Sequence, residues 1–311
     1  MTLQPEVLAV GETMMLVAPA FAEPLESAAD FRLDPGGAEA NVASHLAALG
    51  RPAAWAGLVG DDALGRRLLR QLAERGVDTR WVRTDPDAPT GVYFKDPGRA
   101  VQYFRRGSAA SRMDAGYAAT LPVERVRLLH LSGITPALSD ACDAMVDALF
   151  ARAKAAGVPV SFDVNHRAAL WPSTDVAARR LRELAARADL VFVGLDEAAA
   201  LWGSTLGVAV RTPDDVRALL PEPIVLVVKD GAVGATEYSV AGVAHVAALE
   251  VELVEAVGAG DAFAAGYLVA RLDGAPPHAR LRAGHERAAL VLADTADFPR
   301  RTPDSTTHPR G

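Results

Sequence analysis

Leu128-Leu129-His130-Leu131, Asp140–Ala156, Val158-Pro159-Val160-Ser161-Phe162, Val176–Ala186 and Leu190-Val191-Phe192-Val193 follow one another along the chain. The short runs are apolar almost throughout, and the longer stretches between them carry apolar residues at helical spacing. A strand that is apolar on both faces has to be covered on both faces, the condition of a parallel sheet held between two layers of helices. The alternation extends outward in both directions. Val7–Val10, Ala53–Val59 and Ile224–Val228 read as further strands, and Ala40–Leu49, Ala63–Arg75, Asp214–Leu220 and Asp261–Leu272 as further helices. Right-handed crossovers turn this order into a doubly wound α/β sandwich with a mainly parallel sheet. Glu12–Leu33 and Thr90–Arg106 break the rhythm with extended, partly alternating pieces, the second built around Asp96-Pro97-Gly98, which is turn chemistry. These two segments are expected to form a small antiparallel sheet inserted as a lid, covering a site or making a dimer contact. Residues 1–298 then form one α/β domain, and the Pro/Arg/Thr-rich 299–311 a loose tail.

Composition narrows the function. The chain has 311 residues, half of them hydrophobic and 23% charged, as a globular protein requires. A net charge of −7 argues against a nucleic-acid or membrane-surface binder, but leaves room for a local cationic cluster around a small anion. Cys142 is the only cysteine, which excludes an intrachain disulfide and a thiolate metal site. None of the lysines, Lys95, Lys154 and Lys229, follows a glycine, so GxxxxGK[ST] is absent. GxSxG and HExxH are absent too, and the seven histidines lack metal-ligand spacing. No apolar run approaches the ~20 residues of a membrane helix. No basic-then-apolar signal opens the chain, and a cytoplasmic location is expected.

The predicted strands end in Gly11-Glu12, Asp61-Asp62, Ser132-Gly133, Asp163-Val164-Asn165, Asp196-Glu197 and Asp230-Gly231. Open α/β sheets bind ligands at the carboxyl ends of their strands. Each pair taken singly is also ordinary turn or capping chemistry. Two segments carry more. In Val257-Gly258-Ala259-Gly260-Asp261-Ala262-Phe263, two glycines lead into an apolar helix. The unpaired N–H groups of Gly258, Ala259 and Gly260 would make an anion site. Asp261 beside it would accept a proton from a hydroxyl attacking a phosphoryl group, or else merely cap the helix. In Pro35-Gly36-Gly37-Ala38-Glu39-Ala40-Asn41, the glycines allow close backbone approach and Asn41 offers a donor and an acceptor, which suits polyol hydroxyls. A plain Gly-Gly turn is the alternative. A nicotinamide dehydrogenase is disfavoured, because Gly258-Ala-Gly260-Asp-Ala-Phe263 lacks the third glycine of GxGxxG.

Over about residues 7–298 the chain resembles the ribokinase (PfkB-type) carbohydrate kinases. Gly36-Gly37-x-x-x-Asn41 is similar to their sugar-binding signature, and Gly258-Ala259-Gly260-Asp261 to their catalytic one. Asp163-Val164-Asn165-His166-Arg167 resembles the DxNxR element of the 2-keto-3-deoxygluconate kinase and fructokinase branches. Lys229-Asp230-Gly231-Ala232-Val233-Gly234 resembles the nucleotide-binding KxGxxG stretch. The resemblance implies a ribokinase-like fold and ATP-dependent, magnesium-assisted phosphorylation of a sugar's terminal hydroxyl. It assigns Asp261 as general base, with Gly258, Ala259 and Gly260 as the anion hole. Gly36, Gly37 and Asn41 would bind sugar, and Asn165, Lys229, Gly231, Gly234 and His285 the nucleotide.

Gly11-Glu12-x-Met14 and Tyr103-Phe104-Arg105-Arg106-Gly107-Ser108 look most like the 2-keto-3-deoxygluconate kinases, with fructokinase the nearest alternative. That likeness places Tyr93, Tyr103, Arg105, Arg167 and Asp297 on a sugar acid. The residues agree with it, since two arginines from separate segments can fork onto one carboxylate. An exposed Arg105-Arg106 pair is the alternative. The departures are specific. Glu255-Ala256 and Val257 stand where several relatives hold a monovalent cation, which weakens the case for potassium activation. Gly194 replaces the Asn of NxxE, leaving Glu197 to organise magnesium through water. Glu39 stands where a small residue is usual. These changes also admit a catalytically weak sugar or nucleotide sensor. The expected partners are a small sugar acid and a nucleotide, with no nucleic acid or membrane, and the lid offers a surface for a homo-oligomer.

Overall fold

The computed structural model describes residues 4–293 and Phe298, apart from residues 22, 97, 98, 100, 204, 206 and 252–256. Glu255-Ala256, Asp297, the tip of the Asp96-Pro97-Gly98 turn and the tail 299–311 therefore lie outside the described residues.

From edge to edge the main sheet runs Gly242–Ala247 (β14), Gly234–Ser239 (β13), Val225–Asp230 (β12), Leu190–Gly194 (β11), Val160–Asp163 (β10), Leu128–Ser132 (β9), Val7–Val10 (β1) and Ala53–Ala56 (β4). From β4 to β12 every pairing is parallel. The β12–β13–β14 edge is antiparallel.

Side chains alternate between faces along a strand, and the apolar runs supply both faces. Leu8, Val10, Leu129, Leu131, Phe162, Val191, Val193, Leu226 and Val228 pack on one side. They meet Met145, Leu149 and Phe150 of the helix Asp140–Ala156 and Leu181 of Thr174–Arg187. Val7, Ala9, Trp55, Leu128, Phe192, Val225 and Val227 pack on the other. They meet Val42 and Leu46 of Ala38–Ala48, Tyr267 and Leu268 of Ala259–Leu272 and Leu281 of Pro277–Leu292. Each fully buried leucine contributes about 1.5–3 kcal/mol over an exposed one, so the two faces together hold the sheet ends rigidly in place.

Ala53–Val59, expected as one strand, is two. Gly57 separates β4 from Leu58–Gly60 (β5), which leaves the main sheet to pair with Arg83–Asp85 (β6). A β-carbon at Gly57 would lie 2.6 Å from the Gly11 carbonyl oxygen. The Gly57 carbonyl accepts from the Tyr117 hydroxyl and the Arg83 N–H, both at 3.1 Å. Those bonds divert the chain, and apolar character alone does not reveal them. The β13–β14 hairpin and the helix Pro277–Leu292 were not anticipated from the apolar runs.

The lid is built as two hairpins. Met14–Pro19 (β2) pairs antiparallel with Phe31–Gly36 (β3), and Val92–Phe94 (β7) with Gln102–Phe104 (β8). A parallel β2–β7 pairing joins them into one sheet. Among the described residues no helix is long and apolar enough to cross a membrane.

Candidate active site

The parallel strands deliver polar groups to one edge. Glu12 follows β1, Asp163 ends β10, Glu197 lies just beyond β11 and Lys229 is near the end of β12. Above them, under the lid, is a cleft of about 510 Å³ lined by Glu12, Gly36, Gly37, Asn41, Tyr93, Tyr103, Arg105, Asp163, Asn165, Arg167, Glu197, Lys229, Gly258, Gly260 and Asp261. A second cavity of about 570 Å³ is lined by Lys229, Gly231, Gly234, Ala259, Gly260, Phe263, His285 and Ala288. Lys229 and Gly260 line both.

The helix Ala259–Leu272 begins at Gly258, whose φ of 85° lies in the left-handed region that favours glycine. Gly258 is the N-cap, so the alternative in which Asp261 caps its own helix is set aside. Asp261 sits in the first turn, where the unpaired N–H groups of the helix start are gathered. The Asn41 amide donates to Asp261 Oδ2 at 2.9 Å, which fixes the carboxylate against the helix Ala38–Ala48. Gly36 and Gly37 approach closely. A β-carbon on Gly36 would lie 1.9 Å from the Tyr93 hydroxyl, and one on Gly37 would lie 2.3 Å from the Glu12 carbonyl oxygen.

Tyr93 and Tyr103 are cross-strand partners on β7 and β8 and stack at 5.6 Å. Arg105 lies over the Tyr103 ring. Its Nη2 is ion-paired with the buried carboxylate of Glu12, which also accepts from the Ser108 hydroxyl at 3.3 Å. Arg105 is therefore not half of an exposed pair: only 11% of its side chain is accessible, whereas Arg106 is exposed. Arg167 lines the same cleft from the opposite segment and is exposed.

At the sheet edge Lys229 Nζ donates to Asp163 Oδ2 at 3.0 Å. Burial alone would lower the lysine, but Asp163, Glu197 and Asp261 outweigh it and hold the ammonium above its ordinary value. It is charged where the two cavities meet. Burial, with Asp163 adding to it, raises the Glu197 carboxyl above its ordinary value. Glu197 accepts from the His166 N–H at 2.5 Å and the Gly194 N–H at 3.2 Å. Asn165, with φ 37°, turns the chain that carries His166 toward it and is the one non-glycine residue with positive φ among those described. Asn165 itself lines the cleft under the lid and not the second cavity, where a nucleotide contact was expected. In the second cavity His285 stands edge-on to Phe263, its Nε2 3.1 Å from the Val246 carbonyl oxygen.

No cluster of three or more His, Cys, Asp or Glu side chains suited to a metal exists among the described residues. Asp163, Asn165 and Glu197 nonetheless place hard oxygen donors in one cleft. Magnesium is commonly held by one or two carboxylates, waters and substrate phosphates, so this donor set fits it.

Other polar strand ends serve packing. Asp62 caps the helix Ala63–Glu74 through the Gly65 N–H at 2.7 Å and accepts from the Thr90 N–H at 2.8 Å. Glu39 is fully buried behind the cleft, where Oε1 accepts from Ser132 at 2.7 Å and from Thr135 at 3.0 Å. Burial pushes its carboxyl up to about 7. The sequence reading missed Glu12 as the partner of Arg105 and Asp163 as the partner of Lys229. Both stood in the sequence as polar strand ends and as members of the Gly11-Glu12-x-Met14 and Asp163–Arg167 motifs, neither of which names a partner.

Comparison with known proteins identifies the family. The chain is 33% identical to a 2-dehydro-3-deoxygluconokinase of Thermoproteus tenax over 311 aligned positions, covering 94% of this chain and 89% of that one. It is 33% identical to fructokinase-2 of Zea mays over 273, covering 85% and 79%. Its structure is similar to that of a PfkB protein from Polaromonas sp. JS666, with TM-score 0.84 at 35% identity, covering 93% of this chain and 96% of that one. With residues 4–297 matching the pfkB family carbohydrate kinases, the chain belongs to that family and is a carbohydrate kinase.

Proposed function

We propose that the protein transfers the γ-phosphoryl group of ATP to the terminal hydroxyl of 2-keto-3-deoxygluconate, with Asp261 as general base. The observation that carries this reading is the shared wall of Lys229 and Gly260 between two cavities, with Asp261 on the sugar side. A phosphoryl group passing between them would cross at that wall. Asp261 takes the hydroxyl proton as the new O–P bond forms, and the old P–O bond breaks toward ADP. Asn41 holds the carboxylate in place for this step. The N–H groups of Gly258, Ala259 and Gly260 and the Lys229 ammonium stabilise charge on the transferred group. Magnesium, when bound with the nucleotide, supplies further charge neutralisation, and Asp163, Asn165 and Glu197 are the residues that would hold it and its waters. Gly231, Gly234 and His285 would bound the nucleotide.

Two features support a sugar acid over a neutral sugar: Arg105 from the lid and Arg167 from the segment after β10, both lining the cleft. A site built around paired cations discriminates strongly against analogues that leave them unpaired. The test is steady-state kinetics with ATP and magnesium across a panel of sugars. The acid is expected to show a far higher kcat/KM than fructose or ribose. Equal or better efficiency with fructose replaces the acid reading with a fructokinase one.

A further inference from the structure

Glu12 presents a difficulty for any site that takes an anion. It is a carboxylate, 2% exposed, lining the cleft in which a substrate carboxylate would sit. It lies at the hinge where the chain passes from β1 of the main sheet to β2 of the lid. Its partner Arg105 directly follows β8, the last lid strand, so the ion pair ties two of the lid's connections together. Ser108, three residues beyond Arg105, fixes the Glu12 carboxylate from the same loop. With Nη2 of Arg105 engaged, its Nε is buried and has no hydrogen-bond partner among the described residues. Nε and Nη2 share one edge of the guanidinium, the edge that faces Glu12, so Glu12 sets the direction in which the opposite, Nη1 side of the group is turned.

We infer that Glu12 is a positioning residue for substrate recognition: it holds the Arg105 guanidinium by one edge so that the opposite, Nη1 side meets the carboxylate of the sugar acid. The inference rests on the sugar-acid reading. Glu12 neutralises one side of Arg105, so the bound acid sees an oriented donor and not a mobile cation. The lid loop that carries Arg105 is thereby set before substrate arrives.

The test is a double-mutant cycle on the full chain, with 2-keto-3-deoxygluconate and ATP varied separately. Glu12→Gln should raise KM for the acid about tenfold while kcat changes little and KM for ATP stays the same. In an Arg105→Met background Glu12→Gln should add nothing, because the group it positions is gone. Glu12→Asp keeps the charge but shortens the reach, and should fall between. An unchanged KM for the acid overturns the inference, as does an equal rise in the Arg105→Met background. If Glu12→Gln does not fold, Glu12→Asp decides the matter, and a wild-type KM there overturns the inference. Preference of the unmutated enzyme for fructose overturns the sugar-acid reading and this inference together. A silent Glu12→Gln in an enzyme that prefers the acid overturns this inference alone.

Discussion

The amide of Asn41 and the carboxylate of Asp261, 220 residues apart in sequence, are joined by a 2.9 Å hydrogen bond across the floor of the cleft. It ties the Gly36-Gly37 loop, which would hold the sugar, to the helix start that would receive the phosphoryl group. A carboxylate so held is oriented to accept a proton. Asp261→Asn preserves size and can still accept from Asn41, so the fold and sugar binding should survive while kcat drops roughly 10²–10⁴-fold. Calorimetric sugar binding alongside turnover checks both halves, and full kcat in this variant would refute the base assignment.

The glycines of the helix start separate into two kinds. Gly258 has φ 85°, so Gly258→Ala should cost about 1–2 kcal/mol of stability. Gly260 is different: among the described residues a β-carbon there meets only Lys229 Nζ, at 3.4 Å. Gly260→Val should therefore fold, but it fills the wall between the cavities and should lower kcat by ~10²-fold or more. Thermal unfolding and turnover measured on both variants distinguish a turn glycine from a phosphate-approach glycine. Near-normal turnover in Gly260→Val would leave the second only a structural role.

The sandwich was legible because its central strands are apolar on both faces, a pattern that few other arrangements accommodate. Leu128–Leu131 and Leu190–Val193 show it plainly. Gly57 was not legible, because the bonds that divert the chain come from Tyr117 and Arg83, far along the sequence. The site divided in the same way. Gly258–Asp261 could be read because a helix start has its own local chemistry. The Arg105–Glu12 and Lys229–Asp163 pairs could not, since the first joins the lid to the end of β1 and the second reaches across β11, and both depend on the assembled sheets. Asp62 shows the converse: an acidic strand end that looked like site chemistry and is a helix cap.

Glu39 should make stability fall with rising pH. Its buried carboxyl holds a proton up to about 7, against 4.5 ordinarily. The folded state thus binds this proton more tightly than the unfolded chain. The resulting stabilisation is complete below about 4.5 and is lost as pH rises through about 7, amounting to about 3 kcal/mol. Glu39→Gln is neutral at every pH and can still accept from Ser132 and Thr135. Urea unfolding of the two proteins should show the glutamine variant gaining on the wild type between pH 5 and 8. Parallel curves would mean that Glu39 stays ionised in the fold.

Arg167 offers the sharpest test of substrate charge. Unlike Arg105, it is exposed and lies in no ion pair among the described residues. Its attraction for an anion is therefore screened by salt, whereas that of a buried, oriented guanidinium is screened much less. KM for the sugar acid should rise with ionic strength in the wild type, and this slope should flatten in Arg167→Ala. The same substitution should raise KM for the acid more than it lowers kcat, since the contact is kept from ground state to transition state. Residual activity on fructose should be nearly unchanged, because a neutral sugar gives the guanidinium no charge to pair with. Arg167→Lys restores the charge but not the planar two-point contact, so it should recover the salt dependence before it recovers the affinity. A KM for the acid that ignores both salt and the loss of Arg167 would show that the carboxylate binds away from Arg167.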